Sequence, residues 1–387
     1  MINWWMFYDW LYAYQDYDFD LPLISNSGST RWELGEDGEF HTTSDLLQHT
    51  VKQEGSYSTT INVTVRGRRV IIDGNPSRFN RLDNLFGLTS LDACFAVYNT
   101  ILASLGLPPF TKCTRVFYRQ GEDGSKVSKL SDGAVIKRVD LTANKSVGKG
   151  NVDSYLKALS TCHYKYSVGH LQPNGKTVNW HNPKTGKSTT RLQYPKAYDK
   201  ANELTLPGRA LSKAKNLFSE ESPEYQYVQR VHQYCSEQGV TRHELEVKSE
   251  MLQRLNCQYW GLFDESVLRD FHSEFFYLDE RLQVDNMTLE GVAERLVSTG
   301  VVNSTLAANT TANYAFQWMH GRVFDSSNRS VQKHRARLRK LNIDIARPCD
   351  ITTFSPVYVV SQRRIDVAPL EVPSWYIGPS TPLKIVS

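Results

Sequence analysis

Lys187–Leu204, KSTTRLQYPKAYDKANEL, is the stretch on which the reading of this chain turns. It closes a run from His163 to Tyr198 that reads as a strand meander. Pro173-Asn174-Gly175 and Pro183-Lys184-Thr185-Gly186 supply its turn signals. Pro195 marks the last run as an edge or bulged strand, because proline cannot donate to a ladder. Tyr194 and Tyr198 are four residues apart and therefore share one face, whether the backbone is strand or helix. Arg191, Lys196, Asp199, Lys200 and Glu203 surround them in sequence. A tyrosine hydroxyl, with an ordinary pKa of about 10, becomes a nucleophile only where cations or a metal stabilise the phenolate. The stretch is thus a candidate for attack on a phosphodiester. The plain alternative is a surface strand with packed tyrosines and solvated charges.

Working outward, Ala134–Thr142 (AVIKRVDLT) alternates as a strand. Val135, Lys137, Val139 and Leu141 fall on one side, and Ile136, Arg138, Asp140 and Thr142 on the other. Val240–Lys248 (VTRHELEVK) does the same, with Arg242, Glu244, Glu246 and Lys248 together on one side. That side is either an ordinary solvated face or the wall of a polar groove. YSTTINVTV and RVIID flank Arg66-Gly67-Arg68 as a hairpin. The aromatic start is a first strand, with Met6, Tyr8, Trp10 and Tyr12 on one face and Phe7, Leu11 and Ala13 on the other. It lacks the basic region of a signal peptide, and Asp9 interrupts it. Two helices carry clear boundaries. Thr89 or Ser90 caps one, with Leu91, Cys94, Phe95, Tyr98, Ile101, Leu102 and Leu105 at helical spacing. Ser222-Pro223 opens the other, and Gly239 closes it.

Composition bounds the answer. The 387 residues are 40% hydrophobic and 22% charged, which fits a folded chain of about two domains. Net charge is +4, too mild to demand a polyanionic partner. Six cysteines without a C-x-x-C pair fit free thiols rather than a disulfide framework. No 18-residue apolar run is present. P-loop, H-E-x-x-H and G-x-S-x-G patterns are also absent. No His-apolar-His pair occurs, so a metal serving a tyrosine nickase here would be held by carboxylates, which favours Mg²⁺ or Mn²⁺. From Asn286 onward the pattern changes to three short helices. The last bears Arg329, Lys333, Arg335, Arg337, Arg339 and Lys340 with no acid between them. This outlines a helix-turn-helix-like DNA-binding module, or else a solvated basic helix. The expected division is an α+β domain over 1–285, a helical module over 286–347, and a tail over 348–387 that packs back on the core.

Several short motifs occur in order along the chain: Asn84-Leu85-Phe86-Gly87 with Thr89 and Leu91, Arg138-Val139-Asp140, and Ala197-Tyr198 with Lys200, Glu203 and Leu204. Arg242, Glu244 and Lys248 follow, then the basic stretch after Ser330 and Pro382-Leu383-Lys384-Ile385. Together they resemble the replication initiators of filamentous phages, the gene II/RstA-type nicking proteins. The resemblance implies an α+β fold with a mainly antiparallel central sheet and flanking helices. It implies a rolling-circle endonuclease and strand transferase that nicks one origin strand, leaving a 5′-phosphotyrosine and a free 3′-OH. By position, Tyr198 is the nucleophile and Lys200 a nearby cation. Asp140 and Glu244 are metal ligands, with Glu203 a third acidic candidate; Tyr194 has no family position. Implied partners are duplex origin DNA, single-stranded DNA, a host helicase and a host polymerase, in the host bacterial cytoplasm, with homo-oligomerisation open. The alternative from a different class is a non-catalytic origin- or operator-binding protein.

Overall fold

Strands rich in β-branched and aromatic residues build the sheet, and capping residues place the helices against it. The protein is seen in a computed structural model that describes residues 6–25, 32–34, 40–42, 48–55, 59–120, 127–183, 185–186, 191–282, 289–319, 321–341, 343–347 and 365–379. In chain order come β1 Phe7–Asp16, β2 Trp32–Leu34, β3 Phe40–Thr42, β4 Gln48–Gly55, β5 Thr59–Arg66, β6 Arg69–Gly74 and α1 Leu91–Ser104. β7 Val116–Gln120, β8 Val127–Ser131, β9 Val135–Ser146, α2 Val152–Leu159, β10 His163–Tyr164, β11 Ser167–Leu171 and β12 Thr177–His181 follow. Next are β13 Gln193–Asp199, α3 Lys200–Thr205, α4 Ala210–Leu217, α5 Pro223–Gln238, β14 Val240–Lys248, α6 Ser249–Arg254 and α7 Ser266–Phe276. The last are α8 Leu289–Ser298, α9 Thr305–Met319, α10 Arg329–Arg339 and the short β15 Ala368–Pro369.

The chain forms two compact units, one of residues 1–150, 189–273 and 367–387, the other of 151–188 and 274–366. In the first, strands pair antiparallel in the order β13–β14–β9–β1–β6–β5–β4. One sheet face is the core face, where Leu11, Ala13, Val63, Ile72, Val139 and Leu141 are buried. Helix α1 lies there, its Tyr98 hydroxyl donating to the Leu11 carbonyl at 2.6 Å. Ser90 caps α1 by accepting from the Ala93 N–H, and the residues expected to face inward are buried except Leu105, which lies half-buried at the C-terminal cap. Ser222 caps α5 in the same way, and Gly239 ends it at φ 59°, in the left-handed region that favours glycine. Over 367–379 the tail belongs to the first unit, where β15 pairs with β9; residues 348–364 and 380–387 of the tail lie outside the described residues.

In the second unit, β10, β11 and β12 form an antiparallel meander. The three expected C-terminal helices are present as α8, α9 and α10. Leu296, Ala308, Ala312, Ala315, Trp318, Val331 and Leu338 form their shared core. The fold is therefore α+β with a C-terminal helical trio. No described helix is long and apolar enough to cross a membrane. The five described cysteines, 94, 113, 162, 235 and 257, are free and buried.

Three local expectations need correction. The register between β1 and β9 shifts between Tyr8 and Leu11, so β1 carries an extra residue there. Tyr8 therefore joins Leu11 and Ala13 on the core face, while Phe7 lies under the Arg242 guanidinium, 5.3 Å from its ring centroid. A second shift, between Tyr12↔Arg138 and Ala13↔Ile136, gives β9 an extra residue at Lys137. Lys137 thereby joins Arg138 on the polar side, and Ile136 turns into the core, fully buried. A bulge puts two successive residues where strict alternation allows one. Of the two readings of Pro195, an edge strand or a bulged one, the bulge is absent from the β13–β14 ladder, which runs unbroken from Gln193↔Val247 to Asp199↔Thr241.

Candidate active site

Side chains directly opposite on paired strands point to the same sheet face, so the register of β13, β14 and β9 decides what meets what. Tyr198 lies opposite Arg242, and Arg242 opposite Asn144. Lys196 lies opposite Glu244, and Glu244 opposite Thr142; Tyr194, Glu246 and Asp140 form the next row. These rows make a polar face opposite the core face.

At its centre, the Tyr198 hydroxyl donates to Glu244 Oε1 at 2.5 Å, while Lys196 Nζ sits 2.5 Å from the other oxygen, Oε2. Glu244 is almost wholly buried, and Lys196 and Tyr198 are partly exposed. Burial would raise the Glu244 carboxyl, but Lys196 and then Arg242 outweigh it and hold it below the usual range. Tyr198 is pushed well above its ordinary value by burial and by the Glu244 charge. The resting proton therefore stays on the phenol, hydrogen-bonded to the carboxylate that stands ready to receive it.

Arg242 is fully buried, yet among the described residues it touches no carboxylate closely. Its Nε donates to Asn144 Oδ1 at 2.9 Å and Nη2 to the carbonyls of Asn84 and Leu85 at 2.5 and 2.9 Å. Nη1 has no hydrogen-bond partner among the described residues and lies 4.0 Å from Asp9 Oδ2. Asp9 in turn accepts from the side-chain amides of Asn75 and Asn84. The Asn84-Leu85-Phe86-Gly87 motif thus has a physical meaning, since its carbonyls anchor the arginine behind Tyr198. Gly87 is required for this approach: a Cβ there would meet Phe7 Cδ2 at 2.4 Å and Ser77 Oγ at 2.6 Å. Tyr376 of the tail braces the same loop, its hydroxyl accepting from the Phe86 N–H and donating to Asp83 Oδ1.

Asp140 receives a two-pronged contact from Arg138, at 2.9 and 2.8 Å. Burial still pushes its carboxyl up to about 6, with the neighbouring Glu244 charge adding to the effect against Arg138. Asp140 is thus a carboxylate short of positive charge. Glu246 is shared between Arg138 at 3.4 Å and Lys248 at 3.6 Å. Lys200 and Glu203 make no hydrogen bond or ion pair with Tyr198, Lys196 or Glu244 among the described residues. Lys200 is buried, bonded to Glu203 at 2.7 Å and to Asn84 Oδ1 at 3.2 Å, and Arg209 holds the other Glu203 oxygen. Burial would raise Glu203, but Lys200, with Arg242 and Arg209, brings it to about 2. Tyr194 makes no side-chain hydrogen bond among the described residues.

The sequence motifs point to Tyr198, Glu244 and Asp140, which share this face. They give no separate role to Lys196, Arg242 or Asp9. Lys196 was the one within reach of sequence reasoning, since it lies between the two tyrosines at strand spacing.

Among the described residues no three His, Cys, Asp or Glu side chains converge as a metal-binding group. Mg²⁺ is commonly held by one or two carboxylates completed by phosphate oxygens. The all-oxygen pair Asp140 and Glu244, with Asp140 undercompensated, suits that form and not a closed protein cage.

In the second unit, α10 buries Val331, His334 and Leu338 and exposes Arg329, Lys333 and Lys340. Arg335 is bound to Asp344 at 2.6 and 2.9 Å, and Arg337 reaches Thr311 Oγ1 at 3.2 Å. Arg339 is partly exposed.

The chain is similar to known proteins over most of its length. Residues 6–269 match the N-terminal family of the gene II replication-associated protein, and residues 296–382 match the C-terminal family of the same protein. The corresponding replication-associated protein of Escherichia phage If1 is 49% identical over 320 residues, which is 83% of this chain and 98% of that relative. The chain belongs to the gene II family of phage replication-associated proteins.

Proposed function

We propose that this protein initiates rolling-circle replication by nicking one strand of a duplex origin through tyrosine transesterification, and re-closes the strand after a round. The observation that carries the reading is the Tyr198 hydroxyl held on Glu244 Oε1, with Lys196 clamped to the other oxygen and Arg242 buried behind. Tyr198 Oη attacks the scissile phosphorus and its proton passes to Glu244. The Oη–P bond forms as the bond from phosphorus to the 3′-oxygen breaks, leaving a 5′-phosphotyrosine and, once the departing oxygen takes up a proton, a 3′-OH. The ester energy is kept, so reversal closes the strand without a nucleotide cofactor. Lys196 and Arg242 place positive charge beside the forming phenolate, which is what an otherwise poor nucleophile requires.

Asp140 and Glu244 are the residues that would hold Mg²⁺ or Mn²⁺, whose charge when bound would polarise the phosphate. Arg329, Lys333 and Lys340 of α10 hold origin backbone, with Arg339 beside them. The reading brings with it a host-cytoplasm location and a host helicase and polymerase acting at the exposed 3′-OH.

The test is a supercoiled plasmid bearing the origin, incubated with the full chain and Mg²⁺. A metal-dependent nick with protein left on the 5′ end is the expected result. Plasmid that is bound but never cut would instead favour a non-catalytic origin-binding protein.

A further inference from the structure

The polar face does not end at Asp140. It continues across β1, where the two register shifts load it with rings and cations. Trp10, Tyr12 and Tyr14 lie along this side of β1, all partly exposed. Tyr12 and Tyr14 are separated by the two-residue strand spacing of about 6.7 Å. Tyr259 extends the Tyr14 row, since Val135 pairs with Tyr14 on one side and bridges to Tyr259 on the other.

Three of these rings have a cation against them. The Arg138 guanidinium lies 5.5 Å from the Trp10 ring centroid, and Lys129 Nζ 5.1 Å from that of Tyr259. Tyr14 has both Arg69, at 4.1 Å, and Lys137, at 5.3 Å. Lys137 has no ion pair among the described residues, and burial together with Arg69 holds its ammonium below the usual range. It is a half-buried charge lacking a described anion. Beyond Tyr14 the row runs to the β5–β6 hairpin, where Arg66 and Arg69 are paired across Gly67-Arg68 and Arg66 is exposed.

We propose that this face is a track for single-stranded nucleic acid, running from the Tyr198 site along Trp10, Tyr12 and Tyr14 to the arginine hairpin. Aromatic rings that take unstacked bases, set among cations that take phosphates, are the chemistry of strand binding without sequence preference. A duplex hides its base faces, so partly exposed rings at strand spacing contribute little to holding one. The proposal rests on the nicking reading only in identifying which strand occupies the track.

The experiment is an anisotropy titration of fluorescein-labelled oligothymidylate against the full chain, beside a duplex origin fragment. Tyr12→Leu with Tyr14→Leu keeps apolar bulk and removes the rings. It is expected to weaken oligothymidylate binding about 10- to 100-fold and to leave duplex binding unchanged. Lys137→Gln should lower the salt slope for the oligonucleotide by about 0.7. An oligonucleotide carrying 5-iodouracil should photocross-link to peptides containing Trp10, Tyr12, Tyr14 or Tyr259. Unchanged affinity in the folded ring variant, an equal loss for duplex, or cross-links confined elsewhere would each overturn the track. None of these readouts needs cutting, so failure of the nicking reading shows separately, as an absent covalent adduct.

Discussion

The polar face of β13, β14 and β9 and the exposed side of α10 are both rich in charge, and they handle it in opposite ways. On the sheet, Lys196 is paired with Glu244, Arg138 with Asp140 and Glu246, and Lys248 with Glu246, while Arg242 lies 4.0 Å from Asp9, and much of the set is buried. On α10, Arg329, Lys333 and Lys340 stand in solvent with no ion pair among the described residues. Buried charges must be paired or they cost several kcal/mol each, and a paired set is rigid. Exposed charges cost little to display and are free to meet a polyanion. The difference separates paired, largely buried groups from unpaired, solvated ones.

That separation can be broken most directly at Glu244. Glu244→Gln keeps the shape, but it removes the acceptor for the Tyr198 proton and the partner of Lys196. Nicking should fall by about 10²–10⁴-fold, with origin binding in gel shift close to wild type. A parallel loss of binding would merge the two regions into one function.

Next in size is the α10 stripe. Replacing Arg329, Lys333 and Lys340 by Gln should flatten the logarithmic salt dependence of duplex binding by about 2.7, with folding intact. Arg335→Ala makes the contrast sharper. Its guanidinium is committed to Asp344, so it should cost about 1–3 kcal/mol of stability and leave the salt slope nearly unchanged.

Asp140 gives a smaller effect with a definite sign. Its folded pKa of about 6 lies above the ordinary carboxylate value, so its stabilising contribution is complete at low pH and is lost as pH rises through about 6. Asp140→Asn should therefore gain on the order of 1 kcal/mol relative to wild type at pH 8, and almost nothing at about pH 3, below the unfolded value, in thermal melts. Wild-type nicking should rise through the same window as the carboxylate ionises. The smallest effect belongs to Tyr194→Phe, which removes a hydroxyl with no described partner. Its nicking rate should stay within about twofold of wild type, a margin of a few tenths of a kcal/mol.

What was legible in the sequence follows the range of the interaction. Helix caps at Ser90 and Ser222, the Gly239 stop and the shared face of Arg242, Glu244, Glu246 and Lys248 are local, and the structure agrees with each. The exchange of Phe7 and Tyr8, and the turning of Lys137 to the polar side, depend on pairing with a distant strand, and no local pattern records a bulge. The same holds for the site. Tyr198 and Glu244 stood out by motif, but Lys196 as their clamp follows only once it lies opposite Glu244. Lys200 illustrates the reverse case. Its closeness to Tyr198 in sequence suggested a cation at the phosphate, yet the strand ends at Asp199, and α3 carries Lys200 into the interior beside Glu203.

The central claim is that Tyr198, and not its neighbour four residues away, takes the 5′ phosphate. The chain separates the two for analysis, because trypsin cutting after Arg191, Lys196 and Lys200 places Tyr194 in Leu192–Lys196 and Tyr198 in Ala197–Lys200. Protein trapped on a single-stranded origin oligonucleotide, then digested with trypsin and nuclease, can be read by mass spectrometry. Nucleotide mass is expected on Ala197–Lys200 alone, with no adduct from Tyr198→Phe. Nucleotide mass on Leu192–Lys196, or an undiminished adduct from Tyr198→Phe, would contradict it.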